Sequence, residues 1–201
     1  GNKIEKRRKA IELTATLMFS ALRNNDNIGL FIMTDKIEKY VPAKKGRKHV
    51  LKLISSLVSH EPESKKTDLN NSLAKISKVI KKRSVIFIIS DFYSGSFLKP
   101  LKILRSKHDV IPIRVSDDRE KEIPDIGLIE LEDEETGEQI LLDTSDEGFR
   151  RNYSKIIKKQ DKKLDLLFSK HKITPIDVST SEPYEKPLIR FFKTRKKRVV
   201  S

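Results

Sequence analysis

The chain has 201 residues, with 43 Lys and Arg against 29 Asp and Glu, a net charge of +14 and no cysteine. That length suits one large domain burying about 70% of the surface its unfolded form exposes, and the lack of cysteine excludes disulfides and thiolate metal ligands. No apolar run approaches the ~20 residues that span a bilayer, and the basic opening from Lys3 to Lys9 leads into no signal-peptide core, so a soluble chain is expected, with the cytoplasm as default.

From Lys3 to Arg23, Ile4, Ile11, Ala15, Met18 and Leu22 recur at helical spacing and predict a core-facing helix. After the polar break Asn24 to Asn27, Ile28 to Met33 reads as a buried strand containing Gly29. The turn Thr34-Asp35-Lys36 then leads into an exposed antiparallel edge strand around Ile37, Lys39 and Val41. Val50 to Val58 and Leu69 to Ile80 predict two further helices, separated by a loop from His60 to Lys66. The unbroken apolar run Val85-Ile86-Phe87-Ile88-Ile89 reads as a strand buried on both faces at the centre of a parallel sheet.

A helix capped by Ser94 or Ser96 should run to about His108, followed by a strand from Val110 to Val115, whose Pro112 argues for a place away from the sheet centre. Gly127 to Glu132 and Gln139 to Leu142 read as a β-hairpin, and the acidic run Asp133-Glu134-Glu135 as its charged tip rather than a calcium loop. A long helix over Glu147 to Lys170, a short strand over Ile173 to Val178 and a short helix over Leu188 to Phe192 precede a basic tail. Alternating helices and strands indicate an α/β class, divided into a domain over 1–193, with the hairpin at 127–143 as an insertion, and a tail over 194–201. Six cationic residues fall between Arg190 and Arg198. That run is a solvated end, or a surface for an acidic protein, an anionic membrane or nucleic acid.

Seven scattered glycines make neither a dinucleotide fingerprint nor a P-loop. His49, His60, His108 and His171 lack ligand spacing and read as ordinary loop or helix-end residues, and no serine sits in a nucleophile elbow. One constellation remains. Asp91 ends the apolar strand where open α/β sheets place their ligands, and Thr67-Asp68 precedes a helix that could reach the same crevice. Each has a plainer reading, Thr67 as a helix cap and Asp91 as a turn former.

Thr67-Asp68-Leu69, the strand ending Ser90-Asp91-Phe92 and the alternating elements resemble a von Willebrand factor A domain of Rossmann-like build. More closely, Asn25-Asp26-Asn27-Ile28-Gly29-Leu30, Asp117-Asp118-Arg119-Glu120 with Pro124-Asp125-Ile126-Gly127, Glu135-Thr136-Gly137-Glu138, Arg150 to Tyr153, and Pro187-Leu188 with Phe191-Phe192 resemble the bacterial domain-of-unknown-function family fifty-eight. The resemblance implies a mostly parallel central sheet with helices on both faces, one antiparallel edge strand and an inserted hairpin. It also implies a non-catalytic interaction role beside a MoxR-type AAA+ ATPase, in chaperone-like or maturation work, with no small-molecule substrate. The metal-ion-dependent adhesion site of such domains draws oxygens from an Asp-x-Ser-x-Ser loop, a Thr and an Asp. Thr67 and Asp91 match the last two, while the strand and loop carrying the first are expected to lie upstream of Gly1. Mg²⁺ is therefore expected to bind weakly or not at all, and the strands flanking the missing one are expected to be left with open edges that invite self-association.

Overall fold

The computed structural model describes residues 3–64, 66–132 and 139–200, so the hairpin tip, including Asp133-Glu134-Glu135 and Glu135-Thr136-Gly137-Glu138, lies outside the described residues. In chain order the elements are α1 (Lys3–Arg23), β1 (Ile28–Met33), β2 (Ile37–Lys44), α2 (Arg47–Val58), α3 (Leu69–Val79), β3 (Val85–Ser90), α4 (Leu98–Lys107), β4 (Asp109–Ser116), a 3-10 turn (Asp118–Glu120), β5 (Leu128–Glu132), β6 (Gln139–Asp143), α5 (Glu147–Lys170), β7 (Ile176–Ser179) and α6 (Glu185–Val200). The result is a mixed α/β fold with parallel and antiparallel sheet segments. Among the described residues the strands form three sheets: an antiparallel β1-β2 pair, the three-stranded order β3-β4-β7 and an antiparallel β5-β6 hairpin. β4 and β7 run parallel. The expected single, mostly parallel sheet with one antiparallel edge strand is corrected accordingly, because β2 pairs with β1 in a sheet of their own.

The described chain divides into two compact units, one comprising 1–6, 88–92 and 111–201 and the other 7–87 and 93–110. In the second, Met18 on α1, Ile28 and Leu30 on β1, and Val50 and Leu53 on α2 form a buried cluster, as the apolar periodicity requires. Gly29 belongs there for space: a Cβ would come within 3.0 Å of the Val41 carbonyl oxygen and 3.1 Å of the Ala43 nitrogen, beside a register shift in the β1-β2 ladder. α3 and α4 pack together, burying Leu69, Leu73 and Ile76 on one and Leu101 and Leu104 on the other.

In the first unit, Ile113, Val115, Ile176 and Val178 are buried together with Leu164 and Phe168 of α5 and Leu188 of α6. Two strand expectations fail here. β4, with Pro112, is the middle strand; its ladder to β7 begins at Ile113, so the donor that Pro112 lacks is not required by that ladder. β3 stands at the end of its sheet, with Ile88 buried and Val85 56% exposed, although its apolar run had indicated burial on both faces. With a ladder neighbour on one side only among the described residues, all of that run except Ile88 keeps some contact with solvent.

Helix ends also differ from expectation. Asp68, not Thr67, caps α3, its carboxylate accepting from the Asn71 backbone N–H at 3.0 Å. α4 starts after Phe97, with no side-chain cap from Ser94 or Ser96. The last helix is not confined to Leu188 to Phe192: α6 continues to Val200, since the Lys and Arg that looked like a tail are good helix formers.

Candidate functional site

The turn after β3 presents Asp91. Phe92 follows with φ of 61°, in the left-handed region that costs a bulky residue about 1–2 kcal/mol. Two contacts hold it there: its N–H donates to the Ser90 hydroxyl at 3.1 Å, and its buried ring meets Phe168 edge-on at 5.5 Å. The strained turn thereby fixes where the Asp91 carboxylate points.

What that carboxylate meets is an ammonium. Lys6 Nζ lies 3.4 Å from Asp91 Oδ2 and 2.8 Å from Glu120 Oε1. The Lys6 side chain is largely buried, which on its own would lower its pKa. Its hydrogen bond to Glu120 and the charges of Asp91 and Glu120 outweigh that burial and raise it above the usual lysine value. Glu120 ends the 3-10 turn after β4, so one cation ties the ends of two neighbouring strands. Tyr153 on α5 donates its hydroxyl to the Glu120 carbonyl at 3.1 Å; burial, then the Glu120 charge, raises its pKa.

Beside this triad, Asp118 binds Lys121 at 2.7 Å through one oxygen and the hydroxyls of Ser179 and Ser181, each at 2.8 Å, through the other. The Lys121 ammonium first, then the Ser181 and Ser179 hydroxyls, hold its pKa down at about 2. Ser179 closes β7. The ends of β3, β4 and β7 thus carry a built ionic edge, held together by side chains from α1 and from loops.

Thr67 belongs to the other unit and is exposed. Its loop is held by a buried carboxylate, Glu38 of β2, which contacts His60 Nε2 at 2.5 Å, the Thr34 hydroxyl at 2.8 Å and the N–H groups of Glu63 and Ser64 at 3.1 and 3.2 Å. Burial opposes ionisation of Glu38, but the His60 contact, the Thr34 hydroxyl and the two backbone donors together lower its pKa. The Asp68 N–H and the Ser72 hydroxyl both donate to the Thr34 carbonyl, at 3.3 and 3.1 Å. His60, read from sequence as an ordinary loop residue, is therefore part of the scaffold behind Thr67.

Among the described residues no three His, Asp or Glu side chains gather at metal-binding spacing. Mg²⁺ requires about six oxygens in an octahedron, whereas Asp91 offers one carboxylate that already faces an ammonium. The donor set does not fit the ion, in keeping with weak or absent Mg²⁺ binding. Sequence reasoning missed Lys6, Glu38 and His60. Lys6 sits among the solvated charges of an amphipathic helix, and nothing in its spacing singles it out, whereas Glu120 and Asp118 lie within a segment that the family resemblance had marked.

Among the described residues no helix is long and apolar enough to cross a membrane. Over 136 residues the chain is 29% identical to the uncharacterized protein Rv1480 of Mycobacterium tuberculosis, a match covering 66% of this chain and 43% of that protein. It is 33% identical over 100 residues to the uncharacterized protein MAV169 of Mycobacterium avium, covering 48% of this chain and 59% of that one. The chain thus spans less than half the length of the first of these relatives. Among solved structures it resembles the conserved hypothetical protein BatB from Bacteroides thetaiotaomicron, with a TM-score of 0.58 at 16% identity, covering 95% of this chain and 88% of that one; at such identity the likeness concerns the fold. The family model described as Protein of unknown function DUF58 matches residues 1–163, and the chain belongs to that family.

Proposed function

We propose that this chain is a non-catalytic protein-interaction domain that works with a MoxR-type AAA+ ATPase in a chaperone-like or maturation role. Its docking edge is the set of strand ends around Asp91, a partial adhesion-type site in which Asp91 retains one of the oxygen positions and the Lys6 ammonium stands where a metal cation would; Thr67, on the other unit, is proposed as the second such oxygen by the family resemblance alone. The observation that carries this reading is the Lys6 ammonium held between Asp91 and Glu120. Lys6 with Asp91 and Glu120 carries a net charge of −1, so this edge offers fixed carboxylates to a cationic group of a partner without a metal, and its Ser179 and Ser181 hydroxyls donate to Asp118, whose pKa of about 2 makes it a poor general base. Cytoplasmic placement belongs to the same proposal.

The second reading is electrostatic, with nucleic acid or an anionic surface bound through Arg190, Lys193, Arg195 and their basic neighbours. Binding assays over a salt series separate the two. Contact with a phosphate backbone weakens steeply and log-linearly with salt, and would be indifferent to Lys6→Gln. Docking at the strand ends should be lost in Lys6→Gln and in Asp91→Ala. If neither variant changes ATPase binding, the docking edge lies elsewhere.

A further inference from the structure

The hairpin carries a charge opposite to that of the molecule around it. From Asp125 to Asp143 there are eight acidic residues and no Lys or Arg, in a chain of net charge +14. The ladder pairs Leu128 with Asp143 and Glu130 with Leu141. Residues two apart on a strand share a face, so Leu128, Glu130, Leu141 and Asp143 lie together on one side. That side is open: Leu128 and Leu141 are each 68% exposed, and Glu130 and Asp143 are exposed beside them, while Ile129 and Leu142 on the opposite side are half-buried. The base of the hairpin is latched. The Thr144 N–H and hydroxyl donate to the Gly127 carbonyl at 2.9 and 2.6 Å, and Arg150 pairs with Asp125 at 3.3 Å. A fixed sheet face with two bare leucines between carboxylates is an interaction surface.

Its complement is on the same chain. α6 buries Leu188, and along the flank beside it Ile189 is 53% and Phe192 41% exposed one turn apart, with Lys186, Arg190 and Lys193 exposed further round the helix. Both faces stay open within a single chain, so they do not cover each other there. From Leu128 to Glu132 the strand extends about 14 Å, enough to accommodate the helix segment from Lys186 to Lys193, which rises about 11 Å.

We propose that the outer face of the β5-β6 hairpin docks α6 of a second copy of this chain, with Leu128 and Leu141 against Ile189 and Phe192, and with Glu130 and Asp143 against Arg190 and Lys193. The two surfaces differ, so the contact is heterologous: it closes when two copies exchange it reciprocally and extends into longer assemblies when they do not. This interface is independent of the ionic edge at Asp91.

Sedimentation velocity of the whole chain across a concentration series, at low and high salt, tests it. Wild type should self-associate, more weakly as salt screens the exposed charges. The charge reversals Glu130→Lys/Asp143→Lys and Arg190→Glu/Lys193→Glu should each weaken association about tenfold or more, a loss of about 1.4 kcal/mol, with unchanged circular dichroism. Combining all four should restore it. A wild type monomeric throughout overturns the proposal, as does a combined variant no better than the single reversals. Binding of anionic vesicles or DNA through α6 by a monomeric wild type would assign that helix to a different partner and also overturns it.

Discussion

Replacing Glu38 with Ala removes one carboxylate that gathers four donors from three places in the chain. Hydrogen bonds to a charged acceptor contribute about 1.5–3 kcal/mol each. The N–H groups of Glu63 and Ser64 retain access to water and can recover their bonds there, whereas the His60 ring is left at a half-buried point and the Thr34 hydroxyl keeps only its longer contact to Asp35 at 3.2 Å. Counting those two gives about 3–6 kcal/mol, and deletion of one partner of a buried pair, at about 3–5 kcal/mol, sets the narrower range. For a chain of this size each kcal/mol corresponds to about 2–4 °C, so Glu38→Ala should melt roughly 6–20 °C below wild type at pH 7, and Glu38→Gln, which keeps an acceptor, less far below. Hydrogen exchange should rise in the loop from Ser59 to Lys66 before it rises in α2. The pH dependence has a definite sign. The folded pKa of Glu38 lies below its ordinary value of 4.5, so its contribution is full above that pH and disappears as pH falls through the lowered folded value. Wild type and Glu38→Ala should therefore converge in stability in acid. A Glu38→Ala protein melting within about 2 °C of wild type at pH 7 would refute the assignment of this carboxylate as the anchor of the Thr67 loop.

Further outcomes follow from the other ionic groups and from the chain's end. Carboxyl NMR should find Asp118 titrating near 2, and Ser181→Ala should move it up toward the ordinary 3.8; an Asp118 already titrating normally would contradict the hydroxyl contacts. Calorimetric titration with Mg²⁺ should give no tight binding to this chain, and a saturable strong isotherm would show that the pairing of Asp91 with Lys6 is not what occupies that carboxylate. Truncation after Thr194 removes the stacking of Arg195 over the Phe191 ring at 5.8 Å, a half-buried contact of about 1 kcal/mol. The melting point should fall by no more than about 4 °C, and a larger fall would mean that the end of α6 packs.

Much of the secondary structure was legible because periodicity and side-chain chemistry agree along this chain. The stripe through Ile11, Ala15, Met18 and Leu22 specifies α1, and the break at Asn24 to Asn27 sets its end. Long-range arrangement was not legible. The run Val85 to Ile89 states that side chains prefer burial but not how many strands flank them, so β3 was placed at a centre it does not occupy. Pro112 misled for a related reason, since what matters is which ladder needs its N–H, and this depends on the register with β7. The candidate site was half legible. Asp91 follows from its place after an apolar strand, but Lys6 comes from a helix 85 residues earlier, and only the folded chain brings its ammonium to that carboxylate. The Glu38 anchor escaped notice likewise, because a Glu on an edge strand and a His in a loop each look solvated until the chain closes them together.

The affinity of the purified chain for a MoxR-type AAA+ ATPase from the same organism, measured by calorimetry for wild type, Asp91→Ala and Lys6→Gln with and without Mg²⁺, bears most directly on the functional reading. Saturable binding by wild type, indifferent to Mg²⁺ and weakened about tenfold or more in both variants, is the expected result. Absence of binding by wild type, or equal binding by all three proteins, would contradict it.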